Sequence, residues 1–471
     1  MNYCFSARPA LDVFSPKLFL EIKDNYDQEA KGVFVVTDSK EANKVRSIIP
    51  DAVTCEVAAF IRENWDDLNF ERFCEYEKKY ECEPLWKYIY TDRFLIYRDY
   101  DYVVKMTSGF FMFYERLFKD NNIQVYYSEA IATLQGYVAY LVGRKMGVHY
   151  YGQTGAKSLD GTHHYIFDDP YSCHINIAGD YLNDSYSSEE YQKASHFLTQ
   201  AEEKGFIPTY MITNGVKPRF RLRFLVLPLI RFILSFDKRL NDPCSYMYYE
   251  SHKTVTDPIK YYWRYRKYKK YFHKADYSKK YVYFPLHFQP EASTIVCAQK
   301  YEKQIYFIDS WAKSLPADTL LYVKEHATML GHRDPLFYKQ LKSYPNVVLI
   351  DPYESSFELS QKAVAVTTLT GTAGWEAMLL RKPVLIGGNV YYEHAPGVMK
   401  ISDIYGKYLE LLNAWVQPSR EDVVKYLCAY FRAVRPGVSF GRANGVSDTD
   451  ENIKLMAKSL MEAIGKHQYQ C

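Results

Sequence analysis

The chain has 471 residues, more than one hydrophobic core usually supports, so we expect two domains of about 200 residues rather than a small binding module. With 48% apolar and 24% charged residues, the composition is that of a globular protein and excludes a disordered or fibrous chain. The net charge of +3 hides a strong local excess of basic residues between 217 and 274.

The cysteines and the N-terminus indicate the cellular compartment. Nine cysteines are scattered along the chain without a CxxC pair, which is typical of reduced thiols in a cytosolic protein. Residues 1–8 lack the basic and apolar regions of a signal peptide, and no apolar run reaches the about 18 residues of a membrane span. We therefore expect a cytoplasmic protein that does not cross a membrane.

The first half of the chain predicts a Rossmann-like domain with insertions. Its expected elements are strands at 32–37, 122–127 and 147–151 and a helix at 130–145. The order strand, helix, strand within 122–151 is typical of a parallel sheet covered by helices. Segments rich in tyrosine and acidic residues near 62–92 and 181–204 are interpreted as insertions.

Two basic segments follow. Residues 217–239 contain seven bases and one acid, and residues 260–274 contain seven bases and no acid. Aromatic and aliphatic side chains are interleaved with these bases, which favours a surface that lies among anionic lipid headgroups. The residues assigned to membrane association are Arg219, Arg221, Arg223, Trp263, Arg264, Arg266 and Lys267. An alternative interpretation is a buried helix followed by a solvated basic helix. A third interpretation is nucleic-acid binding, which no recognised motif supports.

From about 280 to 390, short apolar runs alternate with helical stretches. Strands are expected at 281–286, 319–323, 346–350, 363–367 and 383–386, and helices at 298–314, 334–343, 355–361 and 373–381. This alternation predicts a parallel, doubly wound sheet, whose ligands bind beyond the carboxyl ends of the strands. Beyond it, Ser419 and Asp422 predict the capped start of a helix, and a final helix is expected at 450–465.

Polar side chains follow the first two strands of this sheet. Lys324 and His326 alternate along an extended segment, so both should lie on one side and could bind a phosphate or carboxylate. Gln289 and Glu291 alternate likewise and offer an amide and a carboxylate to a base or to sugar hydroxyls. His287 is equally well explained as a structural histidine.

A third group lies at the start of the helix after the fourth strand. Residues 370–376 read Thr-Gly-Thr-Ala-Gly-Trp-Glu and would present backbone N–H groups and the positive end of the helix dipole to a nucleotide phosphate. The residues assigned to this contact are Thr370, Gly371, Thr372 and Gly374. Glu376 could accept from a ribose or sugar hydroxyl, or could simply be a charge favoured near the helix start.

These motifs resemble one family. Tyr-Phe-Pro-Leu-His-Phe-Gln-Pro-Glu-Ala-Ser at 283–293, Val-Lys-Glu-His at 323–326 and Thr-Gly-Thr-Ala-Gly-Trp-Glu-Ala at 370–377 are similar to the capsule polysaccharide biosynthesis glycosyltransferases, a group that includes 3-deoxy-manno-octulosonic acid (Kdo) transferases. The resemblance implies the GT-B fold: two Rossmann-like α/β domains facing a cleft, with C-terminal helices packing back across the junction. Ala327 stands where family members usually have proline, which leaves the donor sugar open.

The resemblance also implies a role for each segment of the chain. Residues 1–215 would form the acceptor domain, 216–277 a membrane-associated inter-domain segment, 278–415 the nucleotide-sugar domain and 416–471 the C-terminal helices. Lys324 and His326 would hold the donor's phosphate or carboxylate, with His326 also stabilising the departing phosphate. Glu129, at the end of a strand in the first domain, could serve as general base or could cap a helix.

The expected function is transfer of a sugar, with a CMP-linked acidic sugar such as Kdo favoured, to a lipid-linked or growing capsule or lipopolysaccharide chain at the inner face of the cytoplasmic membrane. The nucleotide sugar is a co-substrate, and no cofactor, metal or nucleic acid is expected. The adjacent His163 and His164 point to opposite faces of a strand and lack a third ligand. A CDP-dependent polyol-phosphate transferase, a nucleotide-sugar epimerase and a non-catalytic glycan-binding or export-assembly protein remain alternatives.

Overall fold

A computed structural model describes residues 1–80, 84–158, 161–173, 185–205, 226–251, 257–438 and 445–468. Their contacts divide the chain into two compact units. The first comprises Met1–Ile175, Asp237–Ser251 and Ala433–Cys471, and the second comprises Asn176–Phe236 and His252–Arg432.

The strands are β1 (Asn2–Ser6), β2 (Lys31–Val36), β3 (Val53–Glu56), β4 (Val125–Glu129), β5 (His149–Gly155), β6 (His163–Phe167), β7 (Lys280–Pro285), β8 (Thr319–Lys324), β9 (Val347–Ile350), β10 (Ala365–Thr368), β11 (Val384–Ile386), β12 (Val398–Lys400) and β13 (Arg435–Pro436).

The helices of the first half are α1 (Phe14–Asn25), α2 (Ser39–Ile48), α3 (Val57–Glu63), α4 (Phe70–Lys79), α5 (Leu85–Ile89), α6 (Tyr100–Asp120), α7 (Leu134–Met146), α8 (Ser188–Lys204) and α9 (Leu227–Leu234). Those of the second half are α10 (Lys238–Asn241), α11 (Asp257–Tyr268), α12 (Ala292–Ile295), α13 (Gln304–Ala312), α14 (Pro335–Leu341), α15 (Ser356–Lys362), α16 (Thr372–Leu379), α17 (Tyr408–Ala414), α18 (Arg420–Ala433) and α19 (Asp450–Gln468).

The sheet of the first unit has the order β13-β6-β5-β4-β1-β2-β3. Strands β1 to β5 pair in parallel, whereas β6 and β13 join the β5 edge in antiparallel register. The central strand β1 is apolar and buried from Tyr3 to Phe5, as expected for a parallel strand covered on both faces. On one face, α1 and α19 pack together, and Met456 and Leu460 join the core formed around Phe34. The last helix therefore completes the first unit.

The sheet of the second unit has the order β12-β11-β10-β7-β8-β9, and every pair is parallel. Its core includes Val282, Phe284 and Leu321 from the strands and Phe307 and Trp311 from α13. With the first sheet, this confirms the predicted α/β class with two Rossmann-like domains. Among the described helices, none combines the length and hydropathy that crossing a membrane requires.

The bounds of the units differ from the predicted domain boundaries, and the predicted C-terminal segment 416–471 divides between them, with Ala433–Cys471 in the first unit. Residues 237–251 lie in the first unit, because Tyr246 packs on Phe94 and Phe110 while Arg98 donates to Glu250. Helix α8, placed by the sequence in the first domain, lies in the second unit, where it contacts α16. Both assignments depend on tertiary contacts that a local pattern does not encode.

Candidate functional site

The carboxyl ends of three neighbouring strands form the candidate site in the second unit. Strand β7 lies between β10 and β8 in parallel register, so the residues that follow these strands meet at one edge of the sheet. His287 follows β7, Lys324 ends β8, and Thr370 follows β10. Chain segments far apart in sequence are thereby brought side by side.

His287 links two of these strand ends. Its Nε2 accepts from the backbone N–H of Thr370 at 3.2 Å, and its own backbone N–H donates to Gln304 Oε1 at 2.8 Å. Burial, assisted by the nearby positive charge of Arg333, lowers the pKa of His287 to about 3. A buried, hydrogen-bonded ring whose pKa is lowered by burial is typical of a structural histidine, which favours the structural alternative for His287.

Lys324 places a cation at the edge of the sheet. The side chain is only 7% exposed, and its Nζ donates to Ser356 Oγ, at the start of α15, at 2.6 Å. Burial lowers the pKa of Lys324 to about 8, although the carboxylates of Glu376, Glu354 and Asp351 oppose this shift. An ammonium has three N–H donors, and within the described part of the chain Ser356 accepts from one of them. The group is suited to binding an anion.

His326 lies two residues further along, at the start of a single turn of 3-10 helix, Ala327–Met329. Its Nδ1 lies 2.6 Å from Thr328 Oγ1, and burial lowers the pKa of the ring. Burial thus favours the neutral imidazole, which can donate one hydrogen bond while accepting another.

Beneath Lys324 and His326 lies a buried ion pair that sequence reasoning missed. Glu325 Oε2 accepts from Arg333 Nε at 2.6 Å and from the Tyr338 hydroxyl at 2.7 Å. Arg333 also donates to the His287 carbonyl at 2.5 Å and to Gln289 Oε1 at 3.1 Å. The pair thus joins the segments that follow β7 and β8. A carboxylate directly after a buried strand needs a partner, and that need is the signal that could have pointed to a nearby arginine.

Gln289 and Glu291 have different surroundings. The Gln289 amide accepts from Arg333 and donates to the Glu302 carbonyl, so both of its ends already hold protein groups. Glu291 is exposed and accepts from Ser293 Oγ at 2.8 Å. Contact of either side chain with a donor stays a prediction, and the position of Gln289 favours support of the loop.

The start of α16 is held by the loop after β10. Thr368 Oγ1 accepts from the Gly371 N–H at 3.0 Å, Thr370 Oγ1 donates to the Ser293 carbonyl at 2.8 Å, and the Tyr392 hydroxyl donates to the Gly371 carbonyl at 2.5 Å. Within the described ranges no side chain caps this helix, and Thr372 in its first turn is exposed. Glu376, one turn further, is buried, and its charge acts on Lys324. The helix start therefore faces the same group of residues as Lys324.

Two glycines permit this packing. A Cβ at Gly371 would lie 2.7 Å from Thr368 Oγ1, and a Cβ at Gly374 would overlap the Tyr392 hydroxyl and lie 3.0 Å from Thr368 Cγ2.

We expect Gly374→Ala to lower the free energy of unfolding by about 1–3 kcal/mol, because Tyr392 must move. Urea unfolding measures this. Gly465→Ala, at a helical position with nothing within 4 Å, is the control and should be neutral or slightly stabilising; equal effects would contradict the packing argument.

In the first unit, Glu129 ends β4 beside Arg8, which donates to its carboxylate in an ion pair. The Tyr150 hydroxyl donates to the Glu129 carbonyl at 2.9 Å. Glu129 lines a cavity at this edge of the first sheet. The carboxylate does not cap a helix, because α7 is capped by Thr133 and by Asp92.

The basic residues assigned to membrane association are only partly described. Arg219, Arg221 and Arg223 lie outside the described residues. On α11, Trp263 is 63% exposed, Arg266 and Lys267 are exposed, and Arg264 is half-buried. Across the described ranges, no group of three or more His, Cys, Asp or Glu side chains is placed to hold a metal ion.

Residues 238–404 match the family model of the capsule polysaccharide biosynthesis proteins. Over these residues, about a third of the chain, the sequence is similar to that family. This confirms the resemblance seen in the sequence, and the matched residues include β7 to β12 and the whole candidate site of the second unit. No curated protein is significantly similar in sequence to the chain.

Solved structures are only distantly similar. A KpsC beta Kdo 2,7 transferase from Thermosulfurimonas dismutans is 13% identical, with 67% of this chain and 80% of that chain covered and a TM-score of 0.38. UDP-GlcNAc 2-epimerase from Neisseria meningitidis is 11% identical, with 98% and 100% covered and a TM-score of 0.23. A glycosyltransferase from Rickettsia africae is 7% identical, with 98% and 97% covered and a TM-score of 0.27. These likenesses are too weak to assign a reaction.

Proposed function

We propose that this protein is a glycosyltransferase of capsule polysaccharide biosynthesis that binds a nucleotide-activated sugar at the carboxyl edge of the second sheet. The observation that carries the proposal is the buried ammonium of Lys324 at that edge, within a domain of this family. Burying a charge is costly unless something compensates it, and the negative phosphates of a nucleotide sugar would do so.

The chemistry follows from the same arrangement. When the bond between the sugar and the nucleotide breaks, negative charge develops on the departing phosphate, and fixed donors lower the energy of that state. Lys324, His326 and the uncapped start of α16 at residues 370–372 supply such donors. Glu376 would accept from a ribose or sugar hydroxyl, and Glu291 would contact the exposed side of the donor.

The finer assignments belong to the same proposal. The donor we favour is a CMP-linked acidic sugar such as Kdo, and the acceptor a lipid-linked or growing surface polysaccharide bound by the first unit. Glu129 would accept the proton of the attacking hydroxyl. Because Arg8 is paired with Glu129, an acceptor must share or displace that contact before the carboxylate can act as a base.

A thermal-shift screen of the full chain tests the proposal. The panel is CMP, CDP, UDP and GDP with their sugars, since a ligand that binds the folded state raises the unfolding midpoint. We expect one nucleotide to stabilise the protein and His326→Ala to weaken that effect. Absence of any shift would count against a transferase and favour a non-catalytic glycan-binding role.

The binding of this nucleotide should depend on pH. The pKa of Lys324 is lowered to about 8, so the side chain is charged below that pH and loses its proton as the pH rises through it. We expect nucleotide affinity to be constant from pH 6 to 7.5 and to fall by up to about tenfold per pH unit above pH 8. Titration calorimetry at several pH values measures this, and a flat profile to pH 9.5 would contradict a role for the Lys324 charge.

We also propose that the second unit associates with a membrane surface. Helix α9 and the turn that follows it expose apolar side chains: Phe232 and Ile233 on the helix are 62% and 59% exposed, and Phe236 just beyond it is 72% exposed. Arg231, also exposed, lies next to them. Such a face gains free energy when it enters the headgroup region, and the basic charge favours anionic lipid. The proposed location is thus the inner face of the cytoplasmic membrane.

Vesicle flotation measures this association. We expect the full chain to float with vesicles containing phosphatidylglycerol and to float poorly with pure phosphatidylcholine. Phe232→Ser combined with Phe236→Ser should weaken binding by at least about tenfold, since burial of one such side chain is worth about 1.5–3 kcal/mol. Tyr405→Ser, an exposed aromatic elsewhere in the same unit, is the control. Flotation that is unchanged in the double variant would exclude α9 as the contact.

A further inference from the structure

The first unit contains a cavity that the proposed donor site does not use. It has a volume of about 200 Å³ and lies at the carboxyl ends of β1, β2 and β4. Small polar side chains line it at these strand ends, among them Ser6, Thr37 and Ser128. The volume is below the about 300–1,000 Å³ of pockets for drug-sized ligands. It therefore suits one small polar unit better than a whole nucleotide sugar.

The charge of the lining is positive. Two arginines, Arg8 and Arg93, and one carboxylate, Glu129, line the cavity, and Arg8 is the residue paired with Glu129. Arg93 makes no hydrogen bond or ion pair with the described residues, and its Nε is buried without a partner. A buried guanidinium N–H without an acceptor is costly, so an anionic acceptor is expected at Arg93.

The acidic neighbour of Arg93 does not supply that acceptor. The Asp92 carboxylate is fully buried and accepts from the backbone N–H groups of Phe94 and Leu134, both at 2.7 Å, and of Leu95 at 3.2 Å. The carboxylate lies near Arg93, but its oxygens accept from backbone N–H groups at the start of α7 and in the turn that contains Asp92. The buried Nε–H of Arg93 is left for a ligand.

A second buried polar atom lies in the same lining. Gln135 Nε2 donates to the Tyr114 hydroxyl at 3.1 Å, whereas Gln135 Oε1 is buried and has no hydrogen-bond partner among the residues that the structure describes. A carbonyl oxygen at this place can accept from a ligand hydroxyl. The lining thus combines a cation with a hydroxyl acceptor.

We propose that this cavity binds one acidic sugar unit, with its carboxylate or phosphate on Arg93 and a hydroxyl on Gln135. The guanidinium fork matches a planar carboxylate or a phosphate, and the small volume limits the ligand to a single unit. The inference that this sugar unit is the end of the acceptor rests on the proposed function. The inference that the cavity binds an acidic sugar unit does not depend on it.

Saturation-transfer NMR on the full chain tests the inference with three probes: glucuronate, glucose 6-phosphate and glucose. We expect an acidic sugar to bind with a dissociation constant in the millimolar range and glucose at least tenfold more weakly. The relative signals of glucuronate and glucose 6-phosphate distinguish a carboxylate from a phosphate ligand. Equal binding of all three sugars, or binding of none, would overturn the proposal.

Two variants locate the ligand. Arg93→Met should weaken acidic-sugar binding by tenfold or more, and Gln135→Leu provides a second test should Arg93→Met fold poorly. The control is Arg46→Met, an exposed arginine of the first unit that donates to Thr54. Equal binding in Arg93→Met and Arg46→Met would also refute the site. Nucleotides should still stabilise the Arg93→Met variant. A failure of the cavity proposal can therefore be distinguished from a failure of the proposed donor site.

Discussion

Lys324→Ala should reduce sugar transfer by about 10²- to 10³-fold, the loss typical when one fixed donor to a developing negative charge is removed. The side chain is 7% exposed and lies at the edge where β7, β8 and β10 end, so no solvent-exposed lysine can replace it. The variant also removes the donor to Ser356. The measurement is turnover with the nucleotide sugar that the thermal-shift screen selects.

Lys324→Met separates charge from packing. Methionine retains most of the apolar stem, so the fold should be preserved while nucleotide binding is lost. Lys313→Met is the control: Lys313 is 53% exposed and pairs with Asp309 on the surface of the same unit. Full activity in Lys324→Met would show that the ammonium does not act on the phosphate and would remove the main support of the proposed function.

The second sheet could be predicted because its strands are short apolar runs separated by helical stretches. Strands β7 to β11 lie within two residues of their expected positions, and the parallel order brings their carboxyl ends together. The sequence placed Lys324 and Thr370 after two strands of one parallel sheet, and in the structure β7 lies between those two strands. The predicted capping box of Ser419 and Asp422 is confirmed by two reciprocal hydrogen bonds at the start of α18.

Other features have no local signal. The helix expected at 298–314 is shorter, Gln304–Ala312, and follows a separate 3-10 turn, Gln299–Tyr301. Strand β1, only five residues long, was not predicted although it is central to the first sheet. Arg333 acquires its significance from burial and from its bonds to His287 and Gln289, which are distant in sequence, and Arg93 from the cavity that it lines. Such contacts exist only after the sheet has formed, so no spacing rule could have identified them.

The ion pair between Glu325 and Arg333 should have the largest effect on stability. Their side chains are 0% and 4% exposed, and Arg333→Met would leave the Glu325 carboxylate buried without its cation. Breaking a buried pair on one side typically costs about 3–5 kcal/mol, and we expect that loss in the free energy of unfolding. Urea unfolding followed by tryptophan fluorescence measures it, because Trp311 and Trp375 are buried in the same unit. Lys280→Met, which breaks the exposed pair with Asp318, should cost less than about 1 kcal/mol.

A double variant identifies the origin of the cost. If the penalty comes from the uncompensated charge, Glu325→Gln combined with Arg333→Met should be more stable than Arg333→Met alone, since no charge is then left buried. Nucleotide binding should nevertheless stay weak, because the His287 carbonyl and Gln289 have lost the donor that joins them to the segment after β8. Recovery of stability without recovery of binding would assign Arg333 to positioning the site. Simple addition of the two single effects would instead show that each residue stabilises the fold independently.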